Sequence, residues 1–311
     1  MTATPSGAAG AVQAYLRAQR DVIANYESGV RAGDENAVHD MRVAIRRARS
    51  TLRSFRGMWD RERVDALRDE LRWLADRLGP VRDGQVMVGR LAGAVRSEPR
   101  QLVVGPVEAR IQHYVGQDTS DALERMRGAL EDDQYGGLLA ELDALGNATA
   151  GRDDAWVLGR VRKAVRRADR MLDSVDSLDE HERDVQLHEA RRAYKRARYA
   201  AEAIDVKPAH RLAQRLKAVQ DVLGTHQDTV VTRAVLRDLS MRAYREGGNA
   251  FTYGRLHARQ EAAGRPCWVT CRPPPSGPGA ERCAAGSGDR PVHLLCVWRA
   301  ASIEMALAQA E

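Results

Sequence analysis

From about Ala11 to Ala263, apolar residues recur at spacings of three and four in a background of Ala, Leu, Arg and Glu. That period belongs to amphipathic helices, and those residue types favour them. Alternating apolar and polar runs are nearly absent, and QLVVG around Leu102 is too short to count as a strand. Breaks at Gly33-Asp34, Gly79-Pro80, Glu98-Pro99, Gly116, Gly146, Lys207-Pro208, Gly224 and Gly247-Gly248 divide the region into helices of roughly 12–24 residues. Two of these are expected over 119–131 and 134–145, and Asp34 suits an N-cap. Residues 1–9 read as a loose leader.

The pattern occurs twice. VHDMRVAIRRAR at 38–49 aligns with LHEARRAYKRAR at 187–198, an offset of 149. Farther on, LRWLADRLGPVRD at 71–83 aligns with LKAVQDVLGTHQD at 216–228, an offset of 145, and Gly105 and Gly254 again differ by 149. A period of half the chain implies an internal duplication. The expected fold is all-α: two antiparallel helical bundles related by a pseudo-twofold axis. Repeat one covers about 10–150 and repeat two about 151–263.

Within each repeat one helix carries two stripes. The first has Val38, Met41, Ile45, Ala48, Leu52 and Phe55 as its apolar stripe. One residue later, and so rotated about 100°, stand His39, Arg42, Arg46, Arg49, Arg53 and Arg56. The second has Leu187, Ala190, Tyr194, Ala197, Ala201 and Ile204, flanked by His188, Arg191, Lys195 and Arg198, until Glu202 interrupts the cations. Like charges at i, i+4 destabilise a helix by a few tenths of a kcal/mol per pair. Solvated faces elsewhere mix signs, as DRERVDALRDE at 60–70 does. Two unmixed rails therefore point to an anionic partner. Arg160, Lys163, Arg167 and Arg170 form a weaker stripe. Arg72 and Lys217 occupy equivalent positions, as do Asp83 and Asp228. For the two aspartates the first expectation is N-capping after a turn at Leu-Gly, and the second is orientation of a rail arginine.

Composition narrows the field. The net charge is +6, from 49 basic and 43 acidic residues. It is +5 without residues 265–311, so the excess belongs to the helical body. Only Lys163, Lys195, Lys207 and Lys217 are lysines; the remaining cations are arginines, suited to bidentate contact with phosphate. Aromatics make up 5%, which argues against base stacking on single-stranded nucleic acid. No helix-turn-helix, zinc-finger or P-loop pattern occurs, and no carboxylate cluster aligns with the rails for a catalytic metal. Neither enzymatic activity nor a cofactor is expected. No apolar run approaches the ~20 residues of a membrane span. The first 266 residues lack cysteine, which fits a reducing cytoplasm.

The C-terminal stretch breaks the repeat. Six of the 11 prolines and all four cysteines lie beyond residue 264. Residues 264–311 are read as a divergent, frameshift-like or disordered tail. A zinc site from Cys267, Cys271, Cys283, His293 and Cys296 ranks behind both, because tight paired spacing is missing.

The duplicated His-x-x-Arg-x-x-x-[Arg/Lys]-Arg-x-Arg, each followed by Leu-Gly-x-x-x-Asp, resembles the CHAD domain (conserved histidine α-helical domain) over roughly residues 8–263. The resemblance implies two helical bundles around a basic central cavity. It also implies binding of inorganic polyphosphate and, in bacteria, association with polyphosphate granules. Carried onto this chain it points to His39, Arg42, Arg46 and Arg49, and to His188, Arg191, Lys195 and Arg198. Arg53 and Lys217 are added from the stripe and the repeat. No alternating Glu-x-Glu-x-Lys strand of a triphosphate-tunnel (CYTH) domain precedes the helices, so a stand-alone domain is expected. Nucleic-acid binding is the first rival, and a metal-dependent phosphohydrolase using the same site is the second.

Overall fold

The computed structural model describes residues 7–148, 151–175 and 178–271. These form ten α-helices, two single 3-10 turns at Arg56–Met58 and Arg100–Leu102, and no strand among the described residues. The helices are α1 (Ala8–Asn25), α2 (Glu27–Ala32), α3 (Glu35–Ser54), α4 (Arg61–Arg96) and α5 (Val107–Glu131). They continue with α6 (Asp133–Asn147), α7 (Asp154–Asp173), α8 (Glu180–Glu202), α9 (Lys207–Arg245) and α10 (Phe251–Cys271). Among the described residues, no helix is long and apolar enough to cross a membrane.

The chain divides into two compact units. One runs to Arg160 and takes back Leu236–Leu256; the other holds Val161–Val235 and the chain from His257 onward. In the first unit α1 packs on α3 and α6, α3 on α4, and α4 on α5. The apolar stripe of α3 is the centre of this packing: Val38, Met41, Ile45, Ala48, Leu52 and Phe55 have no solvent exposure. Burial of each larger side chain contributes about 1.5–3 kcal/mol. In the second unit the α8 stripe of Leu187, Ala190, Tyr194, Ala197, Ala201 and Ile204 is buried in the same manner.

Helix boundaries differ from the sequence expectation at three breakers. α4 passes through Gly79-Pro80, α9 through Gly224 and α5 through Gly116. Pro80 removes one backbone donor, and a helical glycine costs about 1 kcal/mol relative to alanine. Leu71, Leu74, Leu78 and Val81 are buried on either side, and their burial outweighs those local costs. The Gly105 and Gly254 match does not describe equivalent conformations. Gly105 adopts φ +82 in the loop before α5, while Gly254 lies within α10. α1 already begins at Ala8, inside the expected leader. α10 carries helical backbone past Ala263 to Cys271. The rest of the tail, with Cys283, His293 and Cys296, lies outside the described residues.

Because Pro80 is exposed, Pro80→Ala restores an amide donor without opening a cavity. Its urea midpoint is expected to rise, by the equivalent of roughly 1–3 kcal/mol. An unchanged or lower midpoint would mean that the surrounding helix is built around the proline.

Candidate anion-binding site

The start of α3 sets the register of the first rail. Gly33, at φ +79, closes α2 in the left-handed conformation. Asp34 then caps α3, accepting from the Ala37 amide at 2.7 Å. With the apolar stripe locked inward, the residues one step later fall at the rim of the core. Arg42, Arg46 and Arg49 are half-buried there, and His39 and Arg53 are exposed.

Helix α4 runs antiparallel beside this rail. Arg42 Nη1 donates to Asp83 Oδ1 at 2.6 Å and to the Gly79 carbonyl at 3.3 Å, while Nη2 donates to Asp83 Oδ2 at 3.4 Å. Asp83 therefore engages a rail arginine, and since α4 is continuous through it, it caps nothing. Further along α3, Arg49 faces Arg72 and Arg68 of α4. Arg68 pairs with Asp65 at 3.0 Å. Among the described residues Arg49 forms no ion pair or hydrogen bond. Partial burial lowers its pKa, Arg72 and Arg68 lower it further, and Asp76 and Asp69 oppose them. Arg56 lies beyond α3 and is paired with Asp65.

His39 feels the same crowding. Partial desolvation lowers its pKa first, then repulsion from Arg82, with Arg46 and Arg42 adding to it against support from Asp40. Arg82 comes from α4 and, among the described residues, has a Glu35 carboxylate 3.7 Å away as its ion-pair partner. Arg72 and Arg82 are thus part of the cationic surface. The repeat alignment set Arg72 against Lys217 and Arg82 against Gln227, but a search along one helix face gives no reason to join α4 to α3.

The second unit repeats some of this arrangement. Arg191 of α8 lies against α9 at Gly224, where an added Cβ would stand 3.3 Å from Arg191 Nη2. His188 and Lys195 are half-buried, and His188 Nδ1 is buried with no hydrogen-bond partner among the described residues. Lys217 is exposed and pairs with Asp221 at 2.5 Å. Arg198 is 9% exposed, stacks over the Tyr199 ring at 4.7 Å and pairs with Glu202 at 3.1 Å. It therefore braces α8 at the point where the rail ends. Sequence reasoning also passed over His226, a buried ring of α9. Its Nε2 lies 2.7 Å from Asp184 Oδ1 of α8 and its Nδ1 3.4 Å from the Gly264 carbonyl of α10. It has no counterpart histidine in the first repeat, so duplication gave no signal for it. Among the described residues no three His, Cys, Asp or Glu side chains gather as a metal-binding set.

An all-α chain with a cation-lined helix pair defines the class, and sequence comparison fixes the family. The CHAD domain profile matches residues 14–237, and the chain belongs to that family. It is 35% identical over 267 residues to the uncharacterized Mycobacterium tuberculosis protein Rv2226, covering 83% of this chain and 51% of that one. The chain thus spans about half the length of the curated relatives it matches. Among solved structures it is similar to PptA from Streptomyces chartreusis, with a TM-score of 0.70 and 20% identity, over 86% of this chain and 99% of that one. It is also similar to the CHAD domain of the plant Ricinus communis, with a TM-score of 0.60 and 22% identity, over 86% and 94% of the two chains. At these identities the two structures speak for the fold.

The lowered His39 pKa fixes the sign of a pH effect. The free protein favours the neutral ring, and a polyanion on the rail favours the charged ring, so binding takes up a proton. Affinity should rise as pH falls from the bound-state pKa towards the lower free-state value, then level off. Binding isotherms across this range test it: a flat profile that is unchanged in the His39/His188→Ala double variant removes the histidines from the site.

Proposed function

We propose that this protein is a non-enzymatic binder of inorganic polyphosphate, acting in the cytoplasm at polyphosphate granules. The observation that carries the reading is Arg49, a half-buried cation set beside Arg72 and Arg68 without an ion pair among the described residues. Such a group has no carboxylate in contact, although Asp76 and Asp69 act on it at longer range, and a phosphate would supply the contacting counter-charge. His39, Arg42, Arg46, Arg49 and Arg53 hold the chain in the first unit, with Arg72 and Arg82 added from α4. His188, Arg191, Lys195 and Lys217 do so in the second unit. Arg198 contributes by bracing α8, since direct contact would require it to leave Glu202.

Successive rail residues are about 5–6 Å apart along the helix axis, so an extended anion meets several in turn. Arginine forks take two phosphate oxygens at once, and Lys195 acts as a point charge. Neutralising many phosphates together releases condensed counterions, which makes affinity fall steeply with salt. This electrostatic mode requires no base edge or ring stack. It therefore favours polyphosphate over nucleic acid on a surface poor in exposed aromatics.

Replacing Arg42, Arg46, Arg191 and Lys195 with Ala tests the assignment. Long-chain polyphosphate binding should be lost at moderate salt, and the log–log salt slope should shrink by roughly three to four. Circular dichroism would confirm that the variant keeps its helices. Undiminished binding by the folded variant would overturn the site. Displacement of polyphosphate by nucleic acid at equal phosphate concentration would favour nucleic acid as the partner.

A further inference from the structure

We propose that Asp83 is a built-in counter-anion of the first rail, displaced by the incoming polyanion, and that it sets a threshold against short phosphates. The inference rests on the polyphosphate reading and deepens it. The Asp83 carboxylate takes both arms of the Arg42 fork, at 2.6 and 3.4 Å, and the Gly79 carbonyl shares Nη1 at 3.3 Å. These are the donors that a phosphate would use in a bidentate contact. Arg42 is the less exposed partner at 27%, whereas Asp83 is 71% exposed. The arginine is thus held at the rim of the core, and the carboxylate faces water and is free to swing away.

An exchangeable counter-ion affects ligands unequally. A short phosphate must displace Asp83 using few other contacts. A long chain already anchored at Arg46, Arg49 and Arg72 arrives at Arg42 with a high local concentration of phosphate. The same displacement then matters less to its total affinity. The Leu-Gly-x-x-x-Asp sequence builds the device in one helical turn. The Gly79 carbonyl takes the arginine, and Asp83 follows four residues on, along the same face. The second repeat keeps the sequence as Leu223, Gly224 and Asp228, with Arg191 lying against Gly224.

The test uses the full chain with tripolyphosphate and long-chain polyphosphate as probes, comparing wild type, Asp83→Asn and Asp83→Ala. Asn removes the charge but can still accept from Arg42; Ala removes both functions. Tripolyphosphate binding should tighten by the worth of one exposed ion pair, roughly two- to fivefold, in both variants. Long-chain binding should change less, so the preference for long chains should fall. If Ala weakens both ligands while Asn does not, Asp83 is a brace for Arg42 and the proposal fails. An unchanged preference also overturns it. If wild type binds no long-chain polyphosphate but Asp83→Asn gains tripolyphosphate, the counter-anion role stands and the polyphosphate reading falls.

Discussion

A guanidinium at the rim of a hydrophobic core has two unfavourable neighbours, low-dielectric packing on one side and other cations on the other. Arg49 is in that position, with its protonated form destabilised by burial and by Arg72 and Arg68. Its place is imposed by the packing of α3. Val38, Met41, Ile45 and Leu52 must point inward, and a residue one step later then lies about 100° away, at the edge of the contact with α4. The rail cannot move into water without taking the core stripe with it. The cost of holding these charges is met by the burial energy of the same helix, which ties the rail to the folding of the unit.

The helix beside the α8 rail is shaped for it. A side chain at 224 would crowd the approach of Arg191 to α9, whereas a Cβ at 79 would meet nothing within 4 Å. That accounts for the glycine in the middle of α9, but not for the one in α4. Read as punctuation, Leu-Gly suggested a turn with an aspartate cap after it. Within a continuous helix, the same residues form a seat for an arginine and, one turn later, a carboxylate to hold it.

The parts of the fold legible from sequence were those governed by a single period. Both core stripes and both rails followed from three-four spacing, and the duplication supported their pairing. Length was not legible for α4 and α9, because Gly79-Pro80 and Gly224 carry local costs that long-range burial outweighs. Arg72 and Arg82 were aligned but not joined to the rail, since their relation to His39 and Arg49 depends on antiparallel packing of α3 and α4. The state of Arg198 was hidden for a similar reason. A stripe shows which face a side chain leaves from, but not that Tyr199 and Glu202 will cover it.

That last case shows how the two aligned motifs differ. By the offset of 149, Arg49 corresponds to Arg198 and Arg53 to Glu202. In the first repeat these positions give a half-buried cation with no ion pair among the described residues, followed by an exposed one. In the second they give an ion pair at i, i+4, with the arginine buried on a tyrosine ring. The end of the α8 rail therefore carries its own counter-charge. Lys195 in place of Arg46 removes a fork as well. Charge neutralisation and loss of bidentate geometry act in the same direction. The α3 rail keeps cations along its full length, whereas the α8 rail retains only His188, Arg191 and Lys195 ahead of that ion pair. A polyanion that responds to counter-charge rather than to sequence would gain more per helical turn on the first unit than on the second.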